Sequence, residues 1–297
     1  MHELPNGATA ATPASAVAIS APSPPAAAAS APPLDVQTLF RAKNPRLARR
    51  IPPYVMRVLE LIIHQRELRR FVGRTRHCSG CEFVDAALSE LKIEIEYEGI
   101  DRLPASANIV ICANHPTGGI DGLVLMQLLC RRYGGLRLPA NDLLLSLPGL
   151  ADMVTPVDKY GSNARRVSAF EDMYRAAAPV LVFPAGLTAR FRGGLLREYP
   201  WNKAFIKHAR RAGRVVVPVH VSGRNSRRFY AIWRLRRALG IRVNLEMLLL
   251  VDELARRRGE RVRVAIGTPV ELGEARGPQH DRALAERIRR QVERGRV

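Results

Sequence analysis

The feature that most constrains this chain is a recurring local pattern: a short apolar run that ends on a Gly/Pro turn and leads into a stretch of helical length. Its clearest copy is Ile109-Val110-Ile111-Cys112, then Ala113-Asn114-His115-Pro116-Thr117-Gly118-Gly119-Ile120-Asp121-Gly122, then Leu123-Val124-Leu125-Met126. Apolar β-branched runs bounded by turn signals read as buried strands, and the glycines allow backbone shapes closed to other residues. Strands are expected at 92–98, 108–113, 135–139, 152–157, 179–184, 214–221 and 261–267. Helices are expected at 119–132, 141–147, 162–178, 200–212, 226–238, 244–257 and 278–293. Such alternation predicts an α/β fold with a mixed, mostly parallel sheet flanked by helices. Lys92–Glu98 alternates Ile93, Ile95 and Tyr97 with glutamates, as a half-buried edge strand would.

Two stretches precede this pattern. Residues 1–34 are rich in Ala, Pro and Ser and hold one charged residue, Glu3, so a disordered tail is expected. Residues 35–91 read as basic amphipathic helices. Within Tyr54–His64 the polar Arg57, Glu60 and His64 share one face and a broad apolar arc covers the rest, with Arg-rich flanks on both sides. Such a helix suits a membrane interface or a packed core face equally well. The remaining residues, 92–297, form the main domain.

With 47 Lys and Arg against 27 Asp and Glu, the formal net charge is +20. That excess points to a polyanionic partner: nucleic acid, an anionic membrane surface, or phosphorylated substrates. Charge alone supports nucleic acid, since the chain holds no helix-turn-helix, zinc-finger or RNA-recognition signature. It also holds no secretory signal and no apolar run of about 18 residues, so a peripheral protein on the cytoplasmic membrane face is expected. Cys112 and Cys130 read as core residues. Cys78-Ser79-Gly80-Cys81 is a solitary C-x-x-C with no matching set, so no metal site is expected.

The turn after the first strand carries His115 and Asp121. Histidine titrates near neutrality and suits general-base work, and a carboxylate on its other ring nitrogen would fix the tautomer. Strand ends of α/β sheets are where ligands bind. A second strand–turn, Val180 to Arg190, ends Phe183-Pro184-Ala185-Gly186 and is followed by Arg190 and Arg192. A third, Val215–Gly223, leads into Arg224-Asn225-Ser226. Planar guanidinium groups at such exits are candidate anion hooks. His220 reads as a packed strand histidine and His208 as a surface one.

Taken together these strings resemble the glycerolipid acyltransferase superfamily, typified by 1-acylglycerol-3-phosphate acyltransferases. His115 and Asp121 resemble its His/Asp box, Phe183–Gly186 its Phe-Pro-Glu-Gly box, and Val216-Val217-Pro218-Val219 its last box. Met153–Gly161, with Lys159, occupies the place of the second. Five residues, Pro116 to Ile120, separate His from Asp, and Ala185 stands for the box glutamate. Both departures resemble a bacterial hemolysin-like or amino-acid-lipid subfamily.

The resemblance implies transfer of a fatty acyl group from acyl-CoA or acyl carrier protein to the hydroxyl of a lyso-lipid, with no cofactor beyond the acyl donor. It implies His115 as base and Asp121 as its partner. Amides at Gly118 and Gly119 would face the oxyanion. Asn114, Lys159, Pro184, Gly186, Arg190, Arg192 and Arg224 would lie on the substrate side. An N-acyltransferase acting on an amino acid is a rival, as is a nucleic-acid-binding protein without activity.

Overall fold

The computed structural model describes residues 52–140, 142–145, 147–156, 164–240, 246–274 and 277–295. The expected tail and the first part of the basic helices lie outside the described residues, as does Lys159. In chain order the elements are α1 (Pro53–Ile62), α2 (Gln65–Arg74), α3 (Gly80–Leu91), β1 (Glu94–Glu98), β2 (Ile109–Ala113) and α4 (Ile120–Tyr133). Next come β3 (Leu138–Ala140), α5 (Asp142–Leu145), β4 (Val154–Pro156), α6 (Ala164–Arg175), β5 (Val180–Val182), β6 (Arg190–Arg192) and β7 (Leu195–Arg197). The last are α7 (Ala204–Arg211), β8 (Val215–Val221), α8 (Arg227–Ala238), α9 (Glu246–Arg256), β9 (Arg261–Ile266) and α10 (Pro278–Glu293).

The main sheet has the order β1-β9-β8-β2-β5. Its pairings are parallel except for β8 against β9, so the sheet is mixed and mostly parallel. Every residue of β2 is buried, as a strand covered on both faces must be. Successive side chains of a strand point to opposite faces, and β2 divides accordingly. Ile109 and Ile111 join one core with Phe83 and Leu88 of α3, Leu125 and Leu129 of α4, Val217 and Val264. Val110 and Cys112 join the other with Tyr174 of α6, Phe205 and Ile206 of α7, and Ile288 of α10. Because α3 shares the first core, packing does not break at residue 92. β1 is the edge strand, with Ile95 and Tyr97 half-buried and its glutamates outward.

Several expectations are corrected. The short hairpin β6–β7 turns on Gly193-Gly194, both at positive φ (58° and 77°), and was not among the expected strands. Cys81 and Cys130 form a disulfide joining α3 to α4, so Cys130 is more than a core residue. His208 is half-buried: it stacks on Tyr174 with ring centroids 5.2 Å apart, and burial lowers its pKa. The arc of α1 is divided, with Met56 packed beside Val251 of α9 while Tyr54, Val58 and Leu61 stand exposed. Among the described residues no helix is long and apolar enough to cross a membrane.

Candidate active site

The turn between β2 and α4 brings His115 and Asp121 together. Residue 115 leaves the C-terminal end of β2 and residue 121 is the second of α4, so the chain must reverse within five residues. Gly118 makes this possible: its φ is +83°, and a Cβ there would stand 2.5 Å from Thr188 Cγ2 and 2.9 Å from Leu250 Cδ1. Thr117 and Asp121 close the turn from both sides. The Thr117 N–H donates to Asp121 Oδ2 at 3.1 Å, and the Asp121 N–H donates to Thr117 Oγ1 at 3.4 Å.

Asp121 is fully buried, and four donors converge on it. Oδ2 accepts from His115 Nδ1 at 3.0 Å and from the amides of Thr117 and Gly118, while Oδ1 accepts from the Gly122 N–H at 3.0 Å. Burial alone would push this carboxyl up. The neighbouring imidazole and the amide donors outweigh it and hold the group at about 2, an ionised state. The same pairing acts on His115, where burial lowers the pKa and the Asp121 charge and hydrogen bond more than reverse it. The His115 side chain is 19% exposed, and its ring lies against Phe183 with centroids 4.2 Å apart. Among the described residues Nε2 makes no hydrogen bond, so with Nδ1–H facing Asp121 the second ring nitrogen is left as the basic one.

The backbone of His115 is anchored as firmly as its ring. Its carbonyl accepts from the Ala189 N–H at 3.1 Å, and its N–H donates to Glu198 Oε1 at 2.5 Å. Glu198, from the end of the β6–β7 hairpin, was missed by the sequence reading; no motif surrounds it. Its Oε2 accepts from the Trp201 indole at 2.6 Å, and its own N–H donates to Glu293 of α10 at 3.2 Å. Burial pushes its pKa up to about 7 despite those donors.

The other expected residues divide. Asn114 is buried, and both its amide atoms are engaged by Val221: Nδ2 donates to the carbonyl at 2.8 Å and Oδ1 accepts from the N–H at 2.7 Å. It latches the end of β2 to the end of β8 instead of presenting a group to substrate. The Gly118 amide donates to Asp121 Oδ2 at 3.3 Å, and the Gly119 amide makes no hydrogen bond among the described residues. Arg190 is 2% exposed, which corrects the expectation of an open anion hook. Its Nη1 donates to the Thr188 and Ala189 carbonyls at 2.8 and 3.1 Å, and its guanidinium lies 4.7 Å from the Phe229 ring centre. It acts as a strut beneath the loop, with its charge still opposing protonation of His115. Arg192 likewise donates to the Glu198 carbonyl at 2.7 Å and covers Tyr199. The Pro184 carbonyl accepts from the Asn202 N–H, and the Gly186 N–H donates to the carbonyl of Phe183, the residue whose ring lies against His115. Arg224 is exposed and lines a separate groove. Phe229, Tyr230 and Trp233 are buried, so α8 packs through its aromatics and does not offer them to a membrane. Among the described residues no three His, Cys, Asp or Glu side chains converge to hold a metal ion.

A buried carboxylate that orients an imidazole and leaves its other nitrogen basic is equipped to take a proton from a hydroxyl and return it to a leaving group. No serine or cysteine nucleophile is present at the turn. The pair therefore suits direct transfer from an already activated donor.

Comparison with known proteins agrees with that chemistry. A family model described as acyltransferase matches residues 38–294. A protein of Bacteroides thetaiotaomicron named lyso-glycine lipid O-acyltransferase is 36% identical over 239 residues, 80% of this chain and 88% of that one. Its namesake from Phocaeicola vulgatus is 34% identical over 239 residues, 80% of this chain and 86% of that one. Among solved structures, the 1-acyl-sn-glycerophosphate acyltransferase PlsC of Thermotoga maritima aligns at a TM-score of 0.47 with 17% identity, covering 87% of each chain. The chain belongs to the acyltransferase family, within the glycerolipid acyltransferase superfamily.

Proposed function

We propose that this acyltransferase esterifies the hydroxyl of a lyso-amino-acid lipid, of the lyso-glycine class, with a fatty acyl group taken from acyl-CoA or acyl carrier protein. The observation that carries the reading is the His115–Asp121 pair, with Nδ1 held at 3.0 Å and Nε2 left without a hydrogen bond among the described residues. Nε2 removes the acceptor's hydroxyl proton as its oxygen attacks the thioester carbonyl. The tetrahedral intermediate expels the thiolate, which takes the proton back from the imidazolium, so no other cofactor enters. The Gly119 amide, at the opening of α4, is the candidate donor for the oxyanion. The names and identities of the two relatives support the acceptor class. An anionic bilayer is the proposed seat, met by the exposed Tyr54, Val58 and Leu61 of α1 with Arg57 among them.

The test offers the purified protein lyso-glycine lipid, lyso-ornithine lipid, lysophosphatidate and free glycine, each with acyl-CoA and acyl carrier protein, and reads products by mass spectrometry. Ester-linked product from a lyso-amino-acid lipid is expected. In folded His115→Ala the rate should fall by about 10² or more, the usual weight of general-base catalysis. Amide products from free glycine, or full activity without His115, would overturn the proposal.

A further inference from the structure

A concavity lies between the exit of β8 and the end of α9, and its lining includes Arg224, Asn225, Arg227, Tyr230, Glu253 and Arg257. Its position relative to the chemistry is fixed by Gly223. A Cβ there would stand 3.1 Å from Thr117 Cγ2 and 3.2 Å from Arg257 Nη1. One glycine thus separates the groove from Thr117, whose amide binds Asp121.

Two properties of the groove lack a structural purpose. First, the Asn225 side chain is 3% exposed, yet neither its Nδ2 nor its Oδ1 has a hydrogen-bond partner. Buried amides are nearly always satisfied, because an unpartnered one keeps the full cost of leaving water. Second, Arg224 and Arg227 are exposed and form no ion pair among the described residues, although acidic groups stand nearby. Those acids are engaged elsewhere. Both Glu253 oxygens accept from Ser226, one from its N–H at 2.7 Å and one from its hydroxyl at 2.5 Å. Glu260 lies 3.4 Å from Arg257, and Asp252 accepts from Arg256 at 2.7 Å. The opening turn of α8 adds its positive dipole end at Ser226, which caps the helix through the Phe229 N–H.

We propose that this groove holds the headgroup of the acceptor: Asn225 pairs with the amide of an N-acylated amino acid, and Arg224 and Arg227 bind its carboxylate. The inference rests on the acceptor class proposed above and adds the residues that select it. Reach favours this occupant. In an N-acyl glycine the amide and carboxylate are separated by about one residue length, roughly 3.5 Å. The phosphates of an acyl-CoA lie a whole pantetheine arm from the reacting carbonyl, on the order of 10 Å or more. A groove one glycine from the catalytic turn suits the shorter molecule.

The experiment measures binding of N-octanoylglycine, its methyl ester and coenzyme A to the full chain, alongside steady-state kinetics with lyso-glycine lipid. The wild type should bind the free acid at least about tenfold more tightly than the ester, as loss of a charge-assisted contact implies. Arg224→Gln with Arg227→Gln, both on exposed positions, should erase that preference. The same pair should raise the acceptor KM about tenfold or more with kcat unchanged. Asn225→Ala should weaken acid and ester alike. Equal binding of acid and ester by the wild type, an unchanged preference in the double variant, or displacement of N-octanoylglycine by coenzyme A would overturn the assignment. Binding as expected with no ester formed on lyso-glycine lipid would instead count against the proposed activity and leave the groove as a carboxylate site.

Discussion

Replacing Asp121 by Asn tests the dyad more sharply than truncation, because the hydrogen-bond pattern dictates how the new side chain must sit. Three donors, His115 Nδ1 and the amides of Thr117 and Gly118, converge on Oδ2, and one, the Gly122 amide, meets Oδ1. The Asn oxygen will take the threefold position, so His115 keeps its tautomer, and the new NH2 will face the Gly122 N–H. A buried donor left without an acceptor costs about 1–3 kcal/mol of stability, which for a chain of this size lowers Tm by about 2–10 °C. The catalytic loss has another origin. The imidazolium formed at proton transfer loses its counter-charge, and an adjacent opposite charge is worth about 1–3 pKa units, or about 1.4–4 kcal/mol. The expected fall in kcat is therefore about 10- to 10³-fold. The pH profile separates this from simple damage. The wild-type pKa of His115 is raised above 6.5, and the base must be neutral to act, so the acid limb of kcat/KM lies above that pH. In Asp121→Asn, burial acts with little opposition and the limb moves to lower pH while the plateau drops. A variant with the wild-type plateau, or with an acid limb that does not move, would refute the reasoning.

Two further outcomes are expected. Asn114→Ala removes both hydrogen bonds to Val221, leaving two buried backbone groups unpaired, and should cost about 2–4 kcal/mol; differential scanning calorimetry would read this as a clear fall in Tm, and an unchanged Tm would remove the latch. Glu198→Gln places an NH2 against either the His115 N–H or the Trp201 indole, so kcat should fall while the acceptor KM holds. Because the folded pKa of Glu198 is raised to about 7, its contribution is present below the unfolded value near 4.5 and lost as pH rises through 7. Thermal melts at pH 5 and pH 8 should show the wild type losing stability relative to Glu198→Gln on that rise, and parallel melts would count against a buried, strained carboxylate.

Much of this was legible in the chain. The apolar runs specify the strands because a central parallel strand must be apolar on both faces, as β2 is. The His/Asp spacing was legible because both residues belong to one strand–turn–helix segment. What escaped depends on long-range contacts. Glu198 reaches His115 across 83 positions, and nothing local distinguishes it from a surface glutamate. The arginines misled for a related reason. Many read as offered to polyanions, yet Arg190, Arg192 and Arg214 donate to backbone carbonyls within the protein. The Gly193-Gly194 hairpin was readable in principle, since paired glycines between short strands favour a tight reversal. The apolar arc of α1 was evenly poised, and the structure uses it both ways.

Confinement of the reacting pair to one short loop has an evolutionary corollary. The reacting pair lies within seven consecutive residues, whereas the groove proposed for the headgroup is lined mainly by a separate segment, residues 224–260. A chimera carrying the 223–260 stretch of a relative with another headgroup preference should inherit that preference.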